Sequence, residues 1–350
     1  MKELAEIVAA WDAVRAEGGE ALLATVVGVS GSTYRRPGAR MLLSREGRLA
    51  GSVSGGCLEG DILQKAWWRT ELGAVIVTYD STDADEDVVW GFGLGCNGVV
   101  QVLLERVSPD RPGPLNTLTT VLRERVPQTI ITITASDDPA VPLGTAPPGW
   151  TPPEGVTALQ EVVQPPAPLV IFGAGQDALP LVRMAKEMGW HVTVADTRGT
   201  RARPERFPLA DCVCLGWPDS VIIDERTAVV VMTHNYPDDR RVLNSLLLSP
   251  AGYIGQLGPR VRTERLLAEI VDDGLVMTEE MRRRLHAPIG LDLGADNPEE
   301  IALSIVAEIQ AARTGREGGL LRNRRAPLHA RPETTLAAGP REEAVCLLSA

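Results

Sequence analysis

The chain has 350 residues, 44% of them hydrophobic and 23% charged, which is enough for two globular domains with separate cores. Acidic residues outnumber basic ones 46 to 35, and the net charge of −11 opposes non-specific binding to nucleic acid or to an anionic membrane, so any anionic ligand needs a local basic patch. Five cysteines, Cys57, Cys96, Cys212, Cys214 and Cys346, match no disulfide scaffold, and no apolar run reaches membrane-spanning length, so a cytoplasmic protein is expected.

At the start of the chain, Leu4, Ile7, Val8, Trp11 and Val14 recur at helical spacing and predict an amphipathic helix rather than a signal peptide. Short strand-like runs follow, ALLATVVGVS, ARMLLS and RLAGSVS, which predict a small mixed sheet. The segment from Gly28 to Asp61 carries the densest chemistry. Ser52, Ser54, Gly55 and Gly56 precede Cys57, and LEGDILQKAWWRT after it reads as a helix. A thiol at a helix start faces the positive end of the dipole, which favours the nucleophilic and metal-binding thiolate. Arg35, Arg36 and Arg40, around Pro37 and Gly38, are candidates for a bidentate anion clamp. The plain alternatives, a packed thiol and solvated arginines, stay open.

After the strand AVIVTYD comes an acidic stretch from Asp80 to Asp87, read as solvated, and then GFGLGCNG, a second glycine-rich turn that holds Cys96. For Cys96, function and packing are both open. The strand VVQVLLERV, a helix near PLNTLTTVLRER and a strand near QTIITITAS complete a first domain over residues 1–135. Residues 136–167 are dense in proline and predict a linker, with VTALQEVV as a strand inside it.

The next stretch, PLVIFGAGQDALPLVRMAKEMGWHVTVADTR, reads as strand, glycine turn, helix, strand. Gly173, Gly175 and Ala178 form a GxGxxA fingerprint directly after an apolar strand, and Asp196 closes the second strand 23 residues after Gly173. Gly173 permits the tight turn, Gly175 admits a pyrophosphate, and Asp196 is placed to accept ribose hydroxyls, which favours an NAD-like ligand, although Arg198 blurs that preference. Further βα units, DCVCLG, TAVVVMTHNYPDD with VLNSLLL, and GYIGQLG with TERLLAEIV, extend a doubly wound parallel sheet over residues 168–313. Cys212 and Cys214 are read as packing on a buried strand. His234, at a strand's carboxyl end, is an acid/base or ligand candidate, with a structural histidine as the alternative. Asn297, Pro298 and Glu300 mark the start of a helix in NPEEIALSIVAEIQAAR, and residues 314–350 lack periodicity and are expected to be disordered.

The set GVSGSTYRRPGARML, SVSGGCLEGD, GLGCNG, VIFGAGQDALPL, YIGQLGPR and APIGLDLGADNPEEIALSIVAEI, in this order, resembles the XdhC/CoxI family of xanthine dehydrogenase accessory proteins. The resemblance implies an N-terminal mixed α+β XdhC/CoxI domain followed by a C-terminal Rossmann-like domain, an α/β protein overall. It implies a chaperone rather than a catalyst: one that binds molybdenum cofactor, supports its sulfuration by a cysteine desulfurase, and delivers it to the apoenzyme of a molybdenum hydroxylase such as xanthine dehydrogenase. On that reading Gly55, Gly56, Cys57, Cys96, Arg35, Arg36 and Arg40 hold the cofactor, with Cys57 near molybdenum. Two departures stand out, Gln176 where the family's Rossmann loop commonly has histidine and Asn97 where the second turn commonly has glycine. The reading from another class is an NAD(P)-dependent oxidoreductase that uses the glycine loop, with Cys57 or His234 in the chemistry. A homodimer is the expected assembly of a soluble two-domain chain.

Overall fold

A computed structural model describes residues 1–80 and 98–325 and divides them into two compact units, residues 3–165 and residues 166–325 together with Met1 and Lys2. The first unit opens with α1 (Lys2–Ala16), which buries Ile7, Val8 and Trp11 as the helical spacing predicts. Five strands follow, β1 (Ala21–Gly31), β2 (Arg40–Leu43), β3 (Arg48–Gly51), β4 (Val75–Asp80) and β5 (Gly98–Val107), with α2 (Glu59–Arg69) between β3 and β4. Their order is β3-β2-β1-β5-β4, and every pair is antiparallel. The mixed sheet expected from sequence is therefore an antiparallel one. The connections β1–β2 and β2–β3 are too short for the crossover that a parallel pair requires.

A second small sheet completes this unit after α3 (Leu115–Glu124). It consists of β6 (Gln128–Ser136) between β7 (Gly144–Thr145) and β8 (Val156–Val163). The proline-rich stretch expected as a linker thus carries two strands hydrogen-bonded to β6, and the boundary between the units falls after Pro165. Pro139, Pro142, Pro147, Pro148, Pro152 and Pro153 sit in the loops between those strands, where a missing N–H costs no ladder bond. Glu105 on β5 accepts from the amide and hydroxyl of Thr145 at 3.0 and 2.8 Å, tying the two sheets together. Burial pushes its carboxyl up, against the pull of the Thr145 bonds and Arg40.

The second unit is a six-stranded parallel sheet. Its strands are β9 (Pro168–Phe172), β10 (His191–Asp196), β11 (Cys212–Leu215), β12 (Ala228–Val231), β13 (Tyr253–Gln256) and β14 (Leu285–His286), ordered β11-β10-β9-β12-β13-β14. One face packs α4 (Ala178–Glu187) and α8 (Pro298–Arg313) against Leu169, Ile171, Val192 and Val230. The other packs α5 (Tyr236–Leu248) and α6 (Arg260–Asp272) against Val170, Phe172, Val229 and Val231, and a short α7 (Glu279–Arg284) leads into β14. Strands covered on both faces must be apolar at every position, which is why VVV in β12 shows no alternation. Asn297 caps α8 by accepting from the Glu300 amide at 2.9 Å, as its sequence position predicts. The strand β11 is an edge strand, so Cys212 is exposed and Cys214 only partly buried, contrary to the expected buried strand. Residues 326–350, including Cys346, lie outside the described residues. Among the described residues no helix is long and apolar enough to cross a membrane.

Candidate functional site

The loop Ser52–Leu58 carries Cys57 from β3 to the start of α2. Its frame is one buried carboxylate. Glu59, 7% exposed, accepts from the amides of Val53 and Ser54 at 3.1 and 2.9 Å and from the Ser54 hydroxyl. Burial opposes its charge, but the Ser54 hydroxyl and the loop amides outweigh it and hold the carboxyl below its ordinary value. The Ser54 hydroxyl in turn accepts from the amides of Gly56 and Leu58, each at 3.1 Å, and from the Cys57 thiol at 3.5 Å. Gly56 has φ +117°, a conformation that a side chain would strain.

The helix behind this loop is anchored by Asp61, which binds Arg69 at 2.8 Å, Lys65 at 2.6 Å and the Tyr79 hydroxyl of β4 at 2.8 Å. Burial, then the Asp61 charge, pushes the Tyr79 hydroxyl far up, so it stays a donor. The front of the loop faces solvent, with Gly55 and Gly56 exposed. The Cys57 thiol is partly exposed, and the amides of Gly55 and Cys57 make no hydrogen bond among the described residues. The exposed ring of Tyr34 lies over Gly55, 3.7 Å from where a Cβ would stand.

The three arginines do not converge. Arg40, 4% exposed, pairs with both carboxylate oxygens of Glu161 at 3.2 and 2.6 Å and belongs to the seam between β2 and β8. Arg35 grips Glu3 of α1 at 3.1 Å through two nitrogens and reaches the Ser52 hydroxyl at 3.2 Å, so it braces the Cys57 loop. Arg36 is exposed and has no side-chain partner among the described residues. Cys96 and Asn97 lie outside the described residues. Among those described, no three His, Cys, Asp or Glu side chains gather to hold a metal ion, so Cys57 stands as a single soft donor.

In the second unit the glycine loop follows β9, the central strand where the sheet order reverses. Gly173 has φ +124°, and a Cβ there would meet the carbonyl of Met232. Ala178 is fully buried at the start of α4, matching the close helix–strand packing its motif position demands. His234 adopts φ +58°, and its Nε2 lies 2.6 Å from Oδ2 of Asp177, the residue just before α4. Asp196 is placed differently from its expected role. Its Oδ2 accepts from the Ala174 amide at 2.8 Å and from Arg198 at 2.9 Å, while its Oδ1 accepts from the amide and Nε of Arg198 at 2.9 and 2.8 Å. Burial opposes its charge, and Arg198 together with the amides holds the carboxyl below its usual range.

Sequence reasoning named Ser54 only as a turn residue and missed Glu59, since their five-residue spacing matches no capping box. Asp177 also went unnamed, although it stands inside GAGQDA where it could have been found, whereas Arg206, which donates to the Ala174 carbonyl at 3.0 Å, is 32 residues away in the chain.

Known proteins share both units. Residues 14–80 match the XdhC and CoxI family, and residues 169–309 match the XdhC Rossmann domain. The chain is 33% identical over 322 residues to a probable xanthine dehydrogenase subunit of Bacillus subtilis, covering 85% of this chain and 94% of that one. It is 25% identical over 308 residues to the molybdenum cofactor insertion chaperone PaoD of Escherichia coli, covering 85% of each. A crystal structure of a xanthine dehydrogenase from Bacillus halodurans aligns with a TM-score of 0.73 at 31% identity, covering 89% of this chain and 96% of that one.

Proposed function

The chain belongs to the XdhC and CoxI family, and on that premise we propose that it is a chaperone for molybdenum hydroxylases of the xanthine dehydrogenase type. In this reading it takes molybdenum cofactor as cargo, presents it to a cysteine desulfurase for sulfuration, and hands it to the apoenzyme in the cytoplasm, as a homodimer. The observation that carries the reading is the Cys57 loop: its structural needs are met by Ser54 and Glu59, which leaves a partly exposed thiol and two amides that are unbonded among the described residues. A thiolate is a soft donor suited to a dithiolene-bound metal centre, and amides suit its anionic oxygens or phosphate. Arg36 is the cation available to a phosphate, while Arg35 and Arg40 support the site from within the fold. Free thiols at Cys57, Cys212 and Cys214 suit a reducing compartment. The likeness of the chain to a molybdenum cofactor insertion chaperone supports the same reading.

The test is anaerobic loading of the purified chain with molybdenum cofactor, followed by transfer to cofactor-free xanthine dehydrogenase. The parent should bind and transfer; Cys57→Ala should fold normally and lose retention, and Arg36→Ala should weaken binding in a salt-dependent way. No binding by the folded parent would sink the chaperone reading, and turnover of NADH or NADPH with a small substrate would favour the oxidoreductase alternative.

A further inference from the structure

The six strands of the second unit follow the order 3-2-1-4-5-6, and in such sheets a dinucleotide lies across the carboxyl ends where the order reverses, with its adenosine ribose beside the end of the second strand. The residue at that end decides which ribose is taken. A carboxylate there accepts from a free 2′-hydroxyl, whereas arginine accommodates a 2′-phosphate.

Asp196 occupies that position, yet it has nothing to offer a hydroxyl. Its two oxygens already accept four hydrogen bonds, two each, which fills the acceptor capacity of a carboxylate, and its side chain is 1% exposed. The loop that follows is rich in cations, with Arg198, Arg201, Arg203 and Arg206 within nine residues. Beside it lies a depression open to solvent, lined by Thr200, Arg203, Pro204, Glu205 and Arg206. Its wall is tied to the glycine loop, because Arg206 Nη1 donates to the carbonyl of Ala174, between Gly173 and Gly175, at 3.0 Å and to that of Arg201 at 3.2 Å. Arg203 is exposed in this wall, and neither its side chain nor that of Arg201 has a partner among the described residues. Glu205 is the one acid in the wall.

From the saturated Asp196 and the arginines that have no partner among the described residues, we propose that the second unit binds a 2′-phosphorylated adenine dinucleotide, of the NADP type, in preference to its unphosphorylated counterpart. Arg203 is the phosphate ligand, with Arg201 in support, and Arg198 acts by occupying Asp196. The guanidinium fork matches a phosphate bidentately, and the planar group keeps its charge at any working pH. The site belongs to the second unit and does not rest on the cargo reading of the Cys57 loop.

Titration of the full chain with NADPH and with NADH, read by nicotinamide fluorescence at low ionic strength, tests this directly. NADPH should bind at least about tenfold more tightly, the discrimination expected of one charged hydrogen-bonded contact. Arg203→Ala should bring the ratio near one while leaving NADH affinity in place, and Arg203→Lys should restore part of it. Should Arg203→Ala fail to fold by circular dichroism, Arg201→Ala and competition between 2′,5′-ADP and 5′-AMP on the parent read the same contact. Equal affinities in the parent, no binding of NADPH, or an unchanged ratio in a folded Arg203→Ala would each overturn the proposal.

Discussion

The two glycine loops of this protein solve the same problem with carboxylates in different places. In the first unit Glu59 sits behind the Cys57 loop and takes the amides of Val53 and Ser54, so the front of the loop, with its thiol and the amides of Gly55 and Cys57, is left open. In the second unit Asp196 takes the Ala174 amide and Arg198 together, and what is left facing solvent is a depression bordered by arginines. A buried carboxylate with all its acceptor positions filled is structural, whatever its motif position suggests. The difference lies in what each leaves facing solvent, a partly exposed thiol in one case and arginines in the other.

The largest expected effect separates the loops by backbone. Gly173→Ala combines a left-handed φ with a clash against the Met232 carbonyl and should cost about 3 kcal/mol or more, whereas Gly56→Ala, with open space around it, carries only the conformational strain of about 1–3 kcal/mol. Urea denaturation of both variants measures this, and equal losses would mean that the glycine loop is not held against the end of β12.

Next comes the frame of the first loop. Glu59→Gln should cost about 1–3 kcal/mol at neutral pH by weakening three bonds to the loop. Because the folded Glu59 is held below its ordinary value, its contribution is present above about pH 4.5 and is lost as pH falls through the lower folded value. The gap between parent and variant should therefore close in acid; a gap independent of pH would assign the loss to packing instead.

The smallest effect concerns Asp177. Its pair with His234 is half-exposed, so Asp177→Asn should change stability by less than about 1 kcal/mol. Removing that charge beside Gly175 should tighten NADPH binding about threefold, since a carboxylate at the start of α4 competes with an incoming pyrophosphate. Weaker binding in Asp177→Asn would show that the dyad helps to hold the ligand rather than opposing it.

Much of the fold was legible because its signals are local. The apolar run of β9, the glycine turn and the cap at Asn297 each depend on residues a few positions apart, and the structure places them as read. Within the proline-rich stretch VTALQEVV was read as a strand and is β8, but proline density cannot tell that it pairs with β6 or that β7 joins them. The edge position of β11 was invisible for the same reason, since strand order is a long-range property.

For the candidate sites, the sequence by itself determined which residue types stand in the two glycine turns: a thiol at a helix start, arginines after a strand, an acid at the end of the second strand. Only the tertiary structure decided which of them are free to meet a ligand. Arg40 is bound by Glu161, Arg35 by Glu3 and Asp196 by Arg198, while among the described residues Arg36 and Arg203 have no side-chain partner and the Cys57 thiol, bonded only to Ser54, is partly exposed. The physical reason is that a charge taken out of water must find a partner, and for Arg35 and Arg40 that partner lies 32 and 121 residues away in the chain.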